Sequence, residues 1–385
     1  MRLLHTSDWH LGRSFHGAGL LDDQAAAIDA MVEIVASEGV DAVIVAGDLY
    51  DRQIPPADAV TVLSDGLARL REAGAVVVAI SGNHDSAVRL GYGDRLLARA
   101  GVHVRGDVRS AGTPVVVPAT DGGTDVCVYP IPYLEPEVAR HHLLTEATHD
   151  AVLRGALDRA RADLATRGAV RSVAVAHAFA AGGTPCDSER PLRVGGADRV
   201  ALGCFDGFDY VALGHLHGRQ SFADGRMRYS GSPLPYSFSE RDHRKGVWLV
   251  DLVRDGGVRV TGVDLPVRRG LAVVRGDLDE LLRDPQWAAA EACWVQATLT
   301  DPVLPRDAMR RLQHRFPWAA SLLHDPPVSA ADHRTYRERV AGRDDLQLIG
   351  DFLAHVTGAP AGEDDLDVCR QAVQTVHAHD AVTAA

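Results

Sequence analysis

Five short clusters carry side chains that bind hard or borderline metal ions. They are Asp8-Trp9-His10, Gly47-Asp48-Leu49-Tyr50-Asp51, Gly82-Asn83-His84-Asp85, the single His177, and Gly214-His215-Leu216-His217. Aspartate, asparagine and histidine together suit Mn²⁺, Fe²⁺ or Zn²⁺, ions that accept both oxygen and imidazole nitrogen. One carboxylate, Asp48, could bridge two such ions. A pair roughly 3.5–4 Å apart neutralises phosphate charge and makes water a nucleophile near neutral pH. Each cluster alone is ordinary: Asp-x-His is commonly a capped turn, and a lone His177 is commonly a satisfied core histidine. Their order, each behind a strand-like run, is what points to a single site.

The elements that must position them alternate between two periods. Leu3–Thr6, Ala42–Ala46 and Ala75–Ile80 are short apolar runs suited to buried strands, and Ile28, Met31, Val32, Val35 and Leu63, Leu67, Leu70 recur at helical spacing between them. This rhythm predicts a parallel sheet with helices packed on it. A second series follows, with strands at Val126–Ile131, Ser172–Ala176 and Tyr210–Leu213 and a helix over Ala151–Arg167. From Arg226 to Pro266, turn signals such as Gly231-Ser232-Pro233 and Asp255-Gly256-Gly257 predict antiparallel pairs closing the second sheet against the first. Ligands of open α/β sheets gather outside the carboxyl ends of the strands, so the five clusters could converge there. Gly47, Gly82 and Gly214 would let the backbone turn sharply off each strand.

Past Pro266 the pattern changes to a small α+β module: Leu271–Val274, a helix near Asp277–Arg283, the strand Trp294–Leu299, a helix Arg306–Phe316 and the run Ala319–Leu323. Asp325-Pro326-Pro327 reads as a linker. Ala330–His379 is polar and helical in pattern, with Leu346, Leu348, Ile349, Phe352, Leu353 and Val356 as its apolar set. The expected division is therefore 1–266, 267–325 and 326–385.

The 385 residues carry a formal charge of −12, which excludes a simple basic nucleic-acid binder and makes any contact with DNA local and cation-assisted. Lys245 is the only lysine; the other basic residues are arginines. The five cysteines are scattered without a CxxC, which argues against a disulfide framework or a thiolate zinc site and suits a reducing compartment. No apolar stretch approaches the ~18 residues of a membrane span, and the N-terminus opens on a strand-like run rather than a leader. The expectation is a cytoplasmic enzyme with no membrane contact.

Asp-x-His, Gly-Asp-x-x-Asp, Gly-Asn-His-Asp, a later histidine and Gly-His-x-His resemble the signature of the calcineurin-like metallophosphoesterases. Leu4-His5-Thr6-Ser7-Asp8-Trp9-His10-Leu11-Gly12, Ile44–Asp48, Tyr210–His215 and Tyr229-Ser230-Gly231-Ser232-Pro233 narrow the resemblance to the nuclease subunits of bacterial SbcCD-type complexes. It is strong over residues 1–266, fair for the small module and weak beyond about Pro326. The resemblance implies an α/β fold: a two-sheet sandwich flanked by helices, with an α+β DNA-capping domain and C-terminal helices.

It also implies two divalent ions, Mn²⁺ being the first choice. One would be held by Asp8, His10, Asp48 and His217, the other by Asp48, Asn83, His177 and His215. His84 would protonate the leaving oxygen and Asp85 would orient its imidazole; where some relatives carry a second histidine this chain has Asp51. The implied partners are DNA, an SbcC-type coiled-coil ATPase docked on the C-terminal helices, and a second nuclease subunit, with Leu21–Val35 or Ala87–Arg99 as possible dimer contacts. Candidate contacts to the DNA backbone are Arg13, Arg52, Arg89, Arg241, Arg244 and Lys245. The expected activity is double-strand exonuclease and single-strand endonuclease cleavage in DNA repair. A stand-alone phosphoesterase acting on cyclic nucleotides or phosphoproteins is the alternative, because Gly-Asp-x-x-Asp-Arg also occurs in protein phosphatases.

Overall fold

The computed structural model describes residues 1–119, 123–168, 170–190, 199–253, 256–327, 342–357 and 360–383. Asp255, one of the expected turn residues, and the start of the C-terminal segment through residue 341 lie outside them. The chain divides into two compact units, Met1–Leu271 and Ala272–Ala385.

Two six-stranded sheets build the first unit. One runs in the order Val258–Asp264, Gly246–Leu252, Arg2–Thr6, Ala42–Val45, Val76–Ile80, Val102–Arg105. Its last four strands are parallel, as the strand–helix rhythm predicts. The other has the order Gln220–Phe222, Met227–Tyr229, Tyr210–Gly214, Arg171–His177, Val126–Ile131, Val115–Val117, with a parallel centre and antiparallel edges.

The period of two sorts each strand between two cores. Leu3, Ala42, Ile44, Val78 and Ile80 meet Val126, Val128, Val173, Val175 and Tyr210 between the sheets. Leu4, Val43, Val45, Val77 and Ala79 face outward onto Ile28, Met31, Leu63 and Leu70 of helices Leu21–Glu38 and Ala57–Glu72. Likewise Tyr129, Ile131, Ala174 and Leu213 pack on helices Pro136–Leu143 and His149–Thr166. His5 sits in the first strand with its ring turned to the second sheet, bonded to the Tyr210 hydroxyl at 2.9 Å and the Leu213 carbonyl at 3.1 Å.

The expectation for the return strands is corrected in one respect. Gly246–Leu252 and Val258–Asp264 do form an antiparallel pair, but they extend the first sheet, with Leu3 opposite Val250. In the second sheet Met227–Tyr229 runs parallel beside Tyr210–Gly214, and Gln220–Phe222 pairs antiparallel with Met227–Tyr229 to form the edge. Alternation fixes which residues face a core, not which free edge a hairpin joins.

In the second unit, Leu271–Gly276, Trp294–Leu299 and Ala319–His324 form a three-stranded sheet. Leu278, Leu281, Leu312 and Phe316, from helices Leu278–Arg283 and Ala308–Arg315 and the residue that ends the latter, fill its core with Val274, Val295 and Leu299. Helices Asp345–Thr357 and Glu363–Thr383 follow and pack on each other. Among the described residues, no helix is long and apolar enough to cross a membrane.

Candidate metal centre

Every candidate ligand stands at or just past the carboxyl end of a central strand: Asp8 and His10 after Arg2–Thr6, Asp48 after Ala42–Val45, Asn83 after Val76–Ile80, His177 ending Arg171–His177, and His215 and His217 after Tyr210–Gly214. The backbone is bent hard to put them there. Asp8, His10, Asp48 and His215 all have left-handed φ values, of 54°, 46°, 50° and 109°. Such conformations cost of order 1–3 kcal/mol each and persist only where surrounding bonds hold them. Here Asp8 N donates to Gly47 O at 3.0 Å and His10 N to Asp48 O at 2.9 Å, lacing the first two loops together.

Gly47 supplies a sharp turn, with φ of 95°, as its position suggests. Gly82 serves another purpose. A Cβ there would run into the Asp48 carboxylate, so its role is close approach of backbone to ligand.

The seven side chains converge. His10 Nε2 lies 3.1 Å from His217 Nε2 and 3.6 Å from Asp48 Oδ2. His177 Nε2 lies 2.9 Å from Asn83 Oδ1 and 3.4 Å from Asp48 Oδ2. Donor atoms of Asp8, His10 and His217 lie within one ion's reach, as do those of Asp8, Asp48 and His177. The His215 ring stands against His177, with centroids 5.4 Å apart, and its backbone N–H donates to Asp8. Asp8 is common to both groups, and Asp48 Oδ2 stands 3.6 Å from His10 of one and 3.4 Å from His177 of the other, where a bridging carboxylate would be.

Charge and burial identify what this arrangement suits. Asp8, His10, Asp48, His177, His215 and His217 are all buried. Burial pushes Asp8 up to about 7. Burial acts the same way on Asp48, but the neighbouring His177 outweighs it and holds the carboxyl well below its usual range. Burial in turn opposes charge on His177, yet Asp48 and Asp8 raise it to about 9. Burial lowers His10 to about 3 and lowers His215 and His217, so all three present neutral rings. The ion-pair partners of Asp8 and Asp48 are histidines, not lysine or arginine. Buried His10 Nδ1 has no hydrogen-bond partner. Sequestered anionic oxygens beside neutral imidazoles, two of them nitrogen to nitrogen, form a donor set with too little positive charge of its own. It fits two divalent cations.

The neighbours of the ligands depart from expectation. Asp85 does not touch His84; its carboxylate accepts from Gly82 N, Leu49 N and Tyr50 N at 2.9–3.1 Å and so ties two ligand loops together. Burial and nearby Asp48 raise it to about 6. The imidazole of His84 is oriented instead by the Asp51 carbonyl, which accepts from Nδ1 at 2.9 Å. Trp9 is buried, its indole N–H donating to Thr6 Oγ1. Ser7, Ser230, Ser188, Glu240 and Tyr236 also surround the site, and none was singled out from sequence as part of it. The strongest signal for them was the solitary lysine, Lys245, five residues from Glu240.

Of the candidate DNA contacts, Arg52, Arg89, Arg241 and Arg244 reach solvent. Arg13 is spent on bracing loops: it lies over the Tyr236 ring, donates to Ser188 O at 2.9 Å and faces Asp51. Lys245 is 4 % exposed and locked to Glu240, which removes it as a contact to a DNA backbone. Beside Asn83 a cleft of about 860 Å³ opens, lined by Ser86, Tyr133, Glu135 and His142 among others.

Residues 267–357 match the SbcD_C family model, described as the type 5 capsule protein repressor C-terminal domain. Among solved structures, TT1561 of Thermus thermophilus is 15% identical, with 68% of this chain and 98% of that one covered and a TM-score of 0.40. A dimetal phosphatase from Danio rerio is 14% identical, with 69% and 99% covered and a TM-score of 0.39. GAP50 of Plasmodium, titled the anchor in the inner membrane complex, is 12% identical, with 85% and 98% covered and a TM-score of 0.38. Residues 1–219, which hold every candidate ligand from Asp8 to His217, match the calcineurin-like phosphoesterase model, and the chain belongs to that family.

Proposed function

We propose that this chain is the nuclease subunit of an SbcCD-type complex, hydrolysing phosphodiester bonds at double-strand DNA ends and hairpins during repair and recombination in the cytoplasm. The observation that carries the reading is the pairing, in one chain, of a phosphoesterase module over 1–219 with an SbcD_C match over 267–357. An enzyme for small phosphodiesters or phosphoproteins does not need the added unit. In this reading 1–266 is the nuclease domain, 267–325 caps DNA, and 326–385 reaches the coiled-coil ATPase. Phe352 and Val356 on helix Asp345–Thr357 are 64% and 61% exposed, which leaves apolar surface for such a partner. Val88, Tyr92 and Leu96, 73–88% exposed on or between the short helices Ala87–Leu90 and Asp94–Arg99, offer surface for a second subunit.

Asp8, His10, Asp48 and His217 would hold one ion, and Asp48, Asn83, His177 and His215 the other. Bound there, two divalent ions, Mn²⁺ in our reading, would screen the anionic phosphodiester and make water nucleophilic at neutral pH. The protein's own residues then position and protonate. His84 keeps Nδ1–H on the Asp51 carbonyl, which leaves Nε2 to carry a proton to the departing 3′ oxygen. Its backbone N–H donates to Asp48 Oδ1 at 2.9 Å, so this loop follows any movement of the central carboxylate. Arg52, Arg89, Arg241 and Arg244 are the side chains left for the DNA backbone.

The test is a cleavage assay of the whole chain, with and without its cognate coiled-coil ATPase. Linear duplex and hairpin DNA are compared with bis(p-nitrophenyl) phosphate under Mn²⁺. Mn²⁺-dependent cleavage of DNA ends is expected. Turnover of the small ester alone, with DNA untouched in the complex, would favour the stand-alone phosphoesterase.

A further inference from the structure

Lys245 is the chain's only lysine, and it is buried. All three of its ammonium protons are committed: to Glu240 Oε2, to the His217 carbonyl at 2.8 Å and to Ser232 Oγ at 3.0 Å. Glu240, 1 % exposed, is paired with that ammonium and has only lone pairs to offer. Its Oε1 accepts from Ser188 Oγ at 2.6 Å and from Tyr236 N at 2.9 Å. Ser188 has a single hydroxyl proton, and Glu240 takes it. Toward its other neighbour, His217 Nδ1 at 2.6 Å, Ser188 can therefore only accept. The proton count places the N–H of His217 on Nδ1, so whenever the ring is neutral its lone pair lies on Nε2. That nitrogen is the one 3.1 Å from His10 Nε2.

We propose that Lys245, Glu240 and Ser188 form a buried hydrogen-bond relay, with donors converging on the Glu240 carboxylate, that fixes His217 in the Nδ1–H tautomer and aims Nε2 at one of the two cations. The three are positioning residues. They act through His217, so the inference rests on the reading of His217 as a metal ligand. The rest of His217 is equally constrained, since Glu189 Oε1 accepts its backbone N–H at 2.7 Å. Cys186 Sγ, 3.1 Å from Ser188 Oγ, can donate to the hydroxyl's remaining lone pair without disturbing the direction. A ligand histidine whose second nitrogen is held in this way is more basic and better oriented, and loss of such a partner typically costs ten- to a hundredfold in metal affinity.

The direction of the Ser188 hydroxyl can be tested. In Glu240→Gln the amide oxygen stays with Lys245, and its NH₂ faces Ser188 and loses the bond from Tyr236 N. The hydroxyl then turns its proton on His217 Nδ1 and forces the proton of the ring onto Nε2. Imidazole ¹⁵N spectra of the metal-free whole chain, with His217 assigned by its substitution, should read Nδ1–H in the native protein and Nε2–H in Glu240→Gln. By calorimetric titration with Mn²⁺, Glu240→Gln and Ser188→Ala should each weaken one of two sites ten- to a hundredfold and spare the other. Ser188→Thr, which restores the hydroxyl, should bind as the native chain does.

A native Nε2–H tautomer overturns the relay, and this readout is taken on the native chain, with a folded His217 variant used only to assign the resonance. So does full affinity for two ions in Ser188→Ala while His217→Ala loses one. If His217→Ala also binds two ions normally, the metal assignment itself has failed, and that outcome is distinct from the first two.

Discussion

At the residue scale, the same side-chain type does different work according to where its second atom is anchored. His84 and His217 both flank the centre, yet His84 is half-buried with Nδ1 on a carbonyl, while His217 is buried with Nδ1 on a hydroxyl. His84→Gln should lower the cleavage rate at least a hundredfold, the usual span of a general acid, while metal analysis still finds two ions per chain. An unchanged rate would remove His84 from the mechanism; loss of metal would make it a ligand instead. Asp85→Asn tests the corrected role of its neighbour. An amide group set among the Gly82, Leu49 and Tyr50 N–H donors leaves buried groups mismatched, a cost of about 1–3 kcal/mol. Thermal stability should fall, and Asp85→Asn should retain the cleavage that His84→Gln loses. The convergence of the candidate ligands was legible in the sequence because each follows a strand within a few residues. The role that the resemblance implied for Asp85, orienting His84, differs from what the structure shows, because the turn points its carboxylate to the backbone. Ser188 and Glu240 were invisible because isolated polar residues look like surface until a fold buries them together.

At the element scale, two sheets must hold their carboxyl ends in register, since ligands come from both. Apolar packing between them is non-directional, so polar bonds that cross the layer set the alignment. His5 is one: it lies on the first strand and reaches Tyr210 and Leu213 of the opposite sheet. Burial depresses its ring to about 3, against 6.5 for an exposed histidine. The unfolded chain therefore binds the proton more readily, and the stability His5 contributes is complete above about pH 6.5 and is lost as pH falls toward about 3. Within that window the slope approaches 1.4 kcal/mol per pH unit for this one group. His5→Gln, followed by denaturant melts from pH 7 to 4, should flatten the acid side by up to one proton; an identical slope would mean that His5 is not the group responsible. Strand positions were legible as short apolar runs, while the sorting of their residues between two cores follows from the period of two only once the sheets are in place. The edge joined by Gly246–Leu252 was not legible, because both sheets offered one and only the tertiary contacts of Leu3 with Val250 decide it.

At the scale of the whole molecule, a chain with net charge −12 concentrates its most strongly buried anions at one centre, which the proposed function assigns to a polyanionic substrate. Only cations taken from solution resolve that conflict, which makes the ions part of the folding equilibrium of Met1–Leu271 as well as of any chemistry. A ligand that binds the native state alone contributes about 2.7 kcal/mol at a hundredfold excess over its Kd. For a unit of this size each kcal/mol is worth roughly 2–4 °C, so one tightly held ion should raise the melting temperature by about 5–10 °C, and two by more. Calorimetry of the whole chain in chelator and then in excess Mn²⁺ measures the shift. Hydrogen exchange assigns it: added protection belongs at the loops after Arg2–Thr6, Ala42–Val45, Val76–Ile80, Arg171–His177 and Tyr210–Gly214, and not in the Val274–Phe316 core of the second unit. If the chelated protein melts at the same temperature, the buried carboxylates are satisfied without metal and the donor set has another purpose. If both units gain equally, the ions act through general charge screening rather than at this centre.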